Sequence, residues 1–190
     1  MTHPLTPRQR ELFNALLTDF LAEGFESFTI DAAAKRYRCS KSTIYALGRT
    51  RDAIIRRVLV SYFREIARRT AIQDRPGLTA AAALETYFSA MTSALAPASP
   101  AFMRDLAAEP VAQEVYSVNT AAATENVRAL LERGVASGEF SAGSTAFLSR
   151  LIYHTMRDIQ RGEYAGTIAP ADAYRELGQL LLRGISRTPM

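Results

Sequence analysis

Ser40, Lys41, Ser42, Thr43 and Tyr45 lie in one short run, four hydroxyl groups with an ammonium among them. Lysine donates to guanine acceptors or to a phosphate, while serine and threonine bond either base edges or phosphate oxygens. The Tyr45 hydroxyl suits a phosphate, and its ring suits the base of a helix. Arg38 and Arg49 flank the run, and Arg51 stands where the next helix starts, with free backbone N–H groups that favour an anion. This is the chemistry of holding a polyanion, not of breaking bonds. The chain has no nucleophile paired with a base, no paired carboxylates with a local rationale, no metal-ligand spacing and no phosphate loop, so neither an enzyme nor a cofactor is expected. A lone cysteine, Cys39, and two distant histidines, His3 and His154, add no metal cluster. Cys39 reads as a small turn residue rather than a redox sensor.

The elements that must hold these groups can be read from caps and periodicity. Thr29 can cap a helix over about 30–37, with Asp31 at the positive end of its dipole and Ala32, Ala33 and Ala34 keeping it slim. Ser40 can cap a second helix over about 41–47, anchored by Ile44. Upstream, Thr6-Pro7-Arg8-Gln9 is a capping box with proline at the first helical position. The helix it starts repeats Leu12, Leu16 and Phe20 at four-residue spacing and stops at Gly24. A fourth helix follows Thr50 and fades near Gln73. Two short helices joined by a tight turn can place a small helix in the major groove of DNA. A basic three-helix unit can also be plain scaffold or a surface for protein contacts.

Charge favours a polyanion at one end of the chain. Residues 1–75 carry 14 Lys and Arg against 8 Asp and Glu, a net of +6, whereas residues 76–190 carry 9 against 11, a net of −2. Apolar residues make up 48% and charged residues 22%, ordinary for a globular chain. No apolar run is long enough to span a bilayer and no signal-peptide layout opens the chain, so the cytoplasm is the expected compartment and no membrane partner is expected. Five further helices are predicted at about 79–95, 100–107, 110–137, 144–161 and 170–186, giving an all-α fold. Asp74-Arg75-Pro76-Gly77 is the clearest break. It suggests a helix-turn-helix domain over 1–50, a connecting helix over 51–75 and a helical body over 76–190.

Two features of that body bear on function. Helix 144–161 carries Phe147, Leu151 and Ile159 within an apolar arc too wide for a helix covered on one side. Helix 170–186 carries Leu177, Leu181 and Ile185 with Gly178 and Gly184 inside it, and interior glycine suggests close helix approach. A homodimer seam built from these residues is expected. Tyr87, Met91, Phe102, Met103 and Tyr116, with Asn119, Thr120 and His154 as polar groups, suit an apolar ligand pocket and suit a plain core equally well.

Residues 29–52 resemble the TetR family of bacterial transcriptional repressors. The family pattern, roughly Thr-Val-x-x-Ile-Ala-x-x-Ala-Gly-Val-Ser-x-Gly-Thr-Leu-Tyr-x-His-Phe-x-Ser-Lys-Glu, runs without a gap from Thr29 to Asp52. Thr29, Ala34, Ser40, Thr43 and Tyr45 are identical to it, and Ile30, Ile44, Thr50, Arg51 and Asp52 are conservative matches. Tyr37-Arg38 stands where the family has Ala-Gly, and Leu47-Gly48 where it has His-Phe. The resemblance implies an N-terminal helix-turn-helix domain and a C-terminal helical domain for dimerisation and effector binding. It implies a repressor that binds a double-stranded, roughly palindromic operator through Thr29, Arg38, Ser40, Lys41, Ser42, Thr43, Tyr45, Arg49 and Arg51, and that a small-molecule effector releases. A helical adaptor that has lost specific DNA binding is the alternative that Leu47 and Gly48 leave open.

Overall fold

The computed structural model describes residues 6–71, 77–141, 143–164 and 166–185. Among them the chain forms α1 (Pro7–Glu23), α2 (Ile30–Arg36), α3 (Lys41–Tyr45), α4 (Arg51–Thr70), α5 (Ala80–Leu95), α6 (Pro100–Ala108), α7 (Pro110–Ala136), α8 (Thr145–Arg161) and α9 (Pro170–Ile185). Local chemistry sets the helix starts. Thr6 and Gln9 cap each other reciprocally, and Thr29, Ser40, Thr79, Ser99 and Ser144 each accept an N–H from the first turn of the helix that follows.

The helices divide into two compact units. The first takes the chain up to Arg64 together with Pro97–Tyr116, and the second takes Glu65–Ala96 together with the chain from Ser117 onward. The division is thus discontinuous in sequence, and both α4 and α7 supply residues to each unit; the cut expected at residues 74–77 falls between α4 and α5. Asp74–Pro76 of that expected cut lie outside the described residues, as do Gln73 and His3. Segment 97–116 joins the first unit because α6 packs against α1 and the Ser99 N–H donates to the Leu21 carbonyl at 2.8 Å.

A chain of aromatic rings organises the core of the first unit. It runs from Phe28 through Phe20, Phe25, Phe102, Tyr62 and Phe63 to Tyr116, with neighbouring centroids 5.1–5.8 Å apart in tilted or edge-on pairs. Ile44 and Leu47 are fully buried within the same unit. In the second unit α5 lies along α9. Gly178 of α9 makes that approach possible, since a Cβ there would come within 2.6 Å of Phe88. The Glu139 carboxylate accepts the Ala80 and Ala81 N–H groups at 3.0 and 3.1 Å, completing the N-terminal cap of α5. Those bonds, the Ala80 one foremost, hold its carboxyl below the usual range. No helix among the described residues is long and apolar enough to cross a membrane.

Candidate nucleic-acid interface

The expected helix-turn-helix forms from the first unit, with α2 and α3 packed on each other. Its turn is held in an unusual way. Arg38 has φ +49°, the left-handed backbone that favours glycine, and it is the residue standing where the family pattern has Gly. Tyr37, beside it, pins the turn. Its half-buried hydroxyl donates to Asp19 of α1, and burial followed by that carboxylate pushes its pKa well up. Arg36 reaches Asp19 at 2.7 Å and Glu23 at 2.8 Å, so the end of α2 is tied to α1 by two side chains in succession.

The surface of α3 is polar and accessible. Ser40, Lys41, Ser42, Tyr45 and Arg49 are exposed, as are Thr29 and Arg38, while Thr43 is half-buried. The Ser40 hydroxyl accepts the Thr43 N–H at 3.2 Å and lies 2.7 Å from the Ser42 hydroxyl and 2.8 Å from that of Thr43. Three hydroxyls are therefore clustered where α3 begins. Lys41 is not isolated: its Nζ lies 2.6 Å from Oδ1 of Asp31 on α2, which raises the lysine pKa through that hydrogen bond. Ile44 anchors the helix from below. The α3 helix is shorter than expected, because Ala46 and Leu47 tighten into a turn in which the Leu47 N–H donates to the Ile44 carbonyl.

The two departures after Tyr45 take structural roles. The α3 helix ends with its cap at Ala46, before Gly48 is reached. A Cβ at this position would lie 2.8 Å from the Ile54 backbone nitrogen, so glycine is what lets the turn pass against the start of α4. Leu47, in place of a polar residue, is buried, and its carbonyl accepts from Arg57 at 3.0 Å.

Arg51 likewise has other work than the phosphate contact expected of it. Its Nε donates to the Phe28 carbonyl at 3.0 Å, and its Nη2 donates to the carbonyls of Phe25 and Glu26 at 3.1 and 2.9 Å. The guanidinium also pairs with Glu109 at 2.6 and 3.0 Å. From α6, Oδ2 of Asp105 accepts the N–H groups of Phe25 and Glu26, at 2.5 and 2.8 Å. The α1–α2 connection is thus gripped by a cation on its carbonyls and a carboxylate on its amides. Gly24 admits the grip, since a Cβ there would collide with Oδ2 of Asp105. Sequence reasoning missed Asp105 and Glu109 entirely, because they follow Arg51 by more than fifty residues.

No family model matches the chain, and no curated protein matches it in sequence. Solved structures do. A TetR-family transcriptional regulator from Agrobacterium tumefaciens superposes with a TM-score of 0.72 at 15% identity, covering 95% of this chain and 98% of its own. A tetR-family regulatory protein from Rhodococcus RHA1 gives 0.71 at 17%, covering 97% and 100%. The TetR-family regulator PfmR from Thermus thermophilus gives 0.65 at 18%, covering 93% and 99%. The chain has the fold of TetR-family regulators.

Within this TetR-type fold the residues expected at a dimer seam split into two groups. Phe147 and Leu151 on α8 are 66% and 49% exposed and Gly184 has open space where a Cβ would be; Leu180 on α9, outside the expected set, is 71% exposed. By contrast Ile159, Leu177, Gly178, Leu181 and Ile185 are buried inside the second unit, so they form its core rather than a seam. The close approach expected of Gly178 is made to Phe88 of the same chain.

The expected pocket residues are drawn from both units. Phe102, Met103 and Tyr116 are buried in the first unit, two of them in its aromatic chain. Tyr87, Met91 and Thr120 are buried in the second unit, with Asn119 half-buried there. The Tyr87 hydroxyl donates to the Ala123 carbonyl at 3.4 Å. His154 is exposed on α8 with its ring edge-on to Tyr153, outside any core.

Proposed function

We propose that the protein is a DNA-binding transcriptional regulator. It acts as a homodimer and represses until a small molecule binds its second unit. One observation carries the reading: the start of α3 presents three clustered hydroxyls and Lys41 on a rigidly tied helix-turn-helix, in a fold shared with transcriptional regulators. Lys41, Ser42 and Thr43 address base edges. Thr29, Arg38, Ser40, Tyr45 and Arg49 address the phosphates, and Arg51 supports them from behind by fixing the α1–α2 connection. Two such helices in one dimer read a palindromic operator whose half-sites lie about one helical turn or more apart.

Phe147, Leu151 and Leu180, with the open ground at Gly184, supply the apolar face on which two copies meet. The effector site draws on Tyr87, Met91, Asn119 and Thr120, and an apolar molecule with few hydrogen-bonding groups suits them. Effector and operator then antagonise each other reciprocally, the effector changing the spacing of the two recognition helices. A role without catalysis, in the compartment that holds the genome, follows from the same reading.

The test is selection of bound sequences from a random duplex library at near-physiological salt with competitor DNA. Enrichment of a palindrome supports the reading. Binding that is only salt-sensitive and indifferent to sequence contradicts it.

A further inference from the structure

A carboxylate stands where a polyanion is meant to land. Asp31, the second residue of α2, is 71% exposed at its side chain and touches Lys41, the first residue of α3, at 2.6 Å. From residue 35 to residue 49 the chain holds no acid, and its accessible side chains there include Lys35, Arg38 and Arg49 and the hydroxyls of Ser40 and Ser42. An acid on such a face weakens attraction to phosphates on every sequence. It also engages one of the three donors of the only lysine on α3. Asp31 suits the positive end of the α2 dipole, but on a face meant for a polyanion its charge costs general affinity, a loss that a particular base sequence can offset.

The major-groove edge of a G·C pair can do so. That edge offers two acceptors, guanine N7 and O6, followed by a donor, the cytosine N4 amine. O6 and N4 are bonded to each other across the pair, about 2.9 Å apart. A lysine ammonium and a carboxylate in contact match that spacing and order. The ammonium keeps two donors for N7 and O6, and the carboxylate accepts from N4. An A·T edge reverses donor and acceptor and places a methyl group beside the acceptor, so the same couple leaves an ammonium donor unpaired.

Taking the DNA-binding reading above as the premise, we infer that Asp31 and Lys41 form one base-reading unit selective for a G·C pair. Asp31 is its specificity-determining member: it recognises cytosine and lowers affinity for all other sequences. The occupant of this site is a G·C step in each half-site of a duplex.

The test compares the full-length wild type with Asp31→Asn, Asp31→Glu and Lys41→Gln on duplexes selected by the wild type, on single-base variants of them and on random-sequence duplex. Circular dichroism establishes that each variant is folded. In Asp31→Asn, random duplex is bound roughly threefold to tenfold more tightly, and the log–log salt slope steepens by about 1 as Lys41 is freed for phosphate. Preference for G·C at one position per half-site falls by about tenfold or turns toward A·T, because asparagine pairs with adenine. Asp31→Glu keeps most of the discrimination, and Lys41→Gln loses it along with affinity. If the wild type selects a site and Asp31→Asn keeps both its discrimination and its random-duplex affinity, the inference is wrong and the regulator reading survives. If the wild type selects no sequence at all, both fall together.

Discussion

Lys41 and Arg51 are ten residues apart in one recognisable motif, and both carry a charge suited to phosphate. The protein uses them in opposite ways. Around Lys41 the α2–α3 surface is open, its hydroxyls bonded mainly to one another and its ammonium to a single exposed carboxylate. Around Arg51 the connection from α1 to α2 is closed, with three carbonyls and the carboxylates of Glu109 and, more distantly, Asp52 sharing a single guanidinium. Groups kept for a partner remain cheap to rearrange, whereas those that hold the scaffold are bonded several times over. The open surface is dependable because the closed region behind it does not give.

The contrast can be tested first where it should be strongest. Gly24→Ala forces a Cβ against Oδ2 of Asp105 at a backbone with φ +82° and ψ −173°, a conformation that essentially only glycine adopts. We expect a loss of about 3 kcal/mol or more in chemical denaturation, with DNA binding lost only where the fold is lost. Arg51→Met should come next. It removes the guanidinium from three carbonyls and Glu109, costing about 2–3 kcal/mol and lowering Tm by about 4–12 °C. Of those acceptors only the Phe25 carbonyl keeps another donor among the described residues, the Phe28 N–H. An unchanged Tm would mean that Arg51 is free after all.

Acid should erase part of that second difference. Hydrogen bonds from Arg51 hold the Glu109 carboxyl below its ordinary value of 4.5. The stabilisation tied to that depressed value is complete above the unfolded value and is lost as pH falls through the folded one. The Tm gap between wild type and Arg51→Met should therefore narrow between about pH 7 and about pH 3; a constant gap would assign the effect to the carbonyl bonds alone. The smallest effect belongs to Arg38→Gly. Relief of the left-handed backbone, about 1 kcal/mol, is offset by a similar gain in unfolded-chain entropy. Tm should hardly move while affinity for a selected duplex drops, which places Arg38 with the open surface rather than the closed one.

How legible each region was in the sequence follows the same division. Helix starts are local events, so Thr6, Thr29 and Ser40 announced them, and the apolar spacing of α1 could be read along the chain. The start of α3 was legible for the same reason, since Ser40 bonds within three residues of itself. What could not be read was the identity of distant partners. Arg51 looked like a phosphate ligand because Glu109 lies 58 residues on. Gly178 looked like part of a dimer seam because its actual neighbour, Phe88, belongs to another helix of the same chain. Leu177 and Leu181 were assigned to that seam for the same reason. Periodicity says that a face is buried and does not say against what.

If α3 reads DNA with its open surface, reversing the charge of Lys41 must hurt binding and leave the fold alone. Lys41→Glu should be compared with wild type on a duplex selected by the wild type, with Tm and solution mass recorded for both proteins. The variant should keep its Tm and its mass and lose affinity by about tenfold or more. Wild-type affinity in a folded Lys41→Glu protein would refute that role and move the site of any DNA contact away from α3.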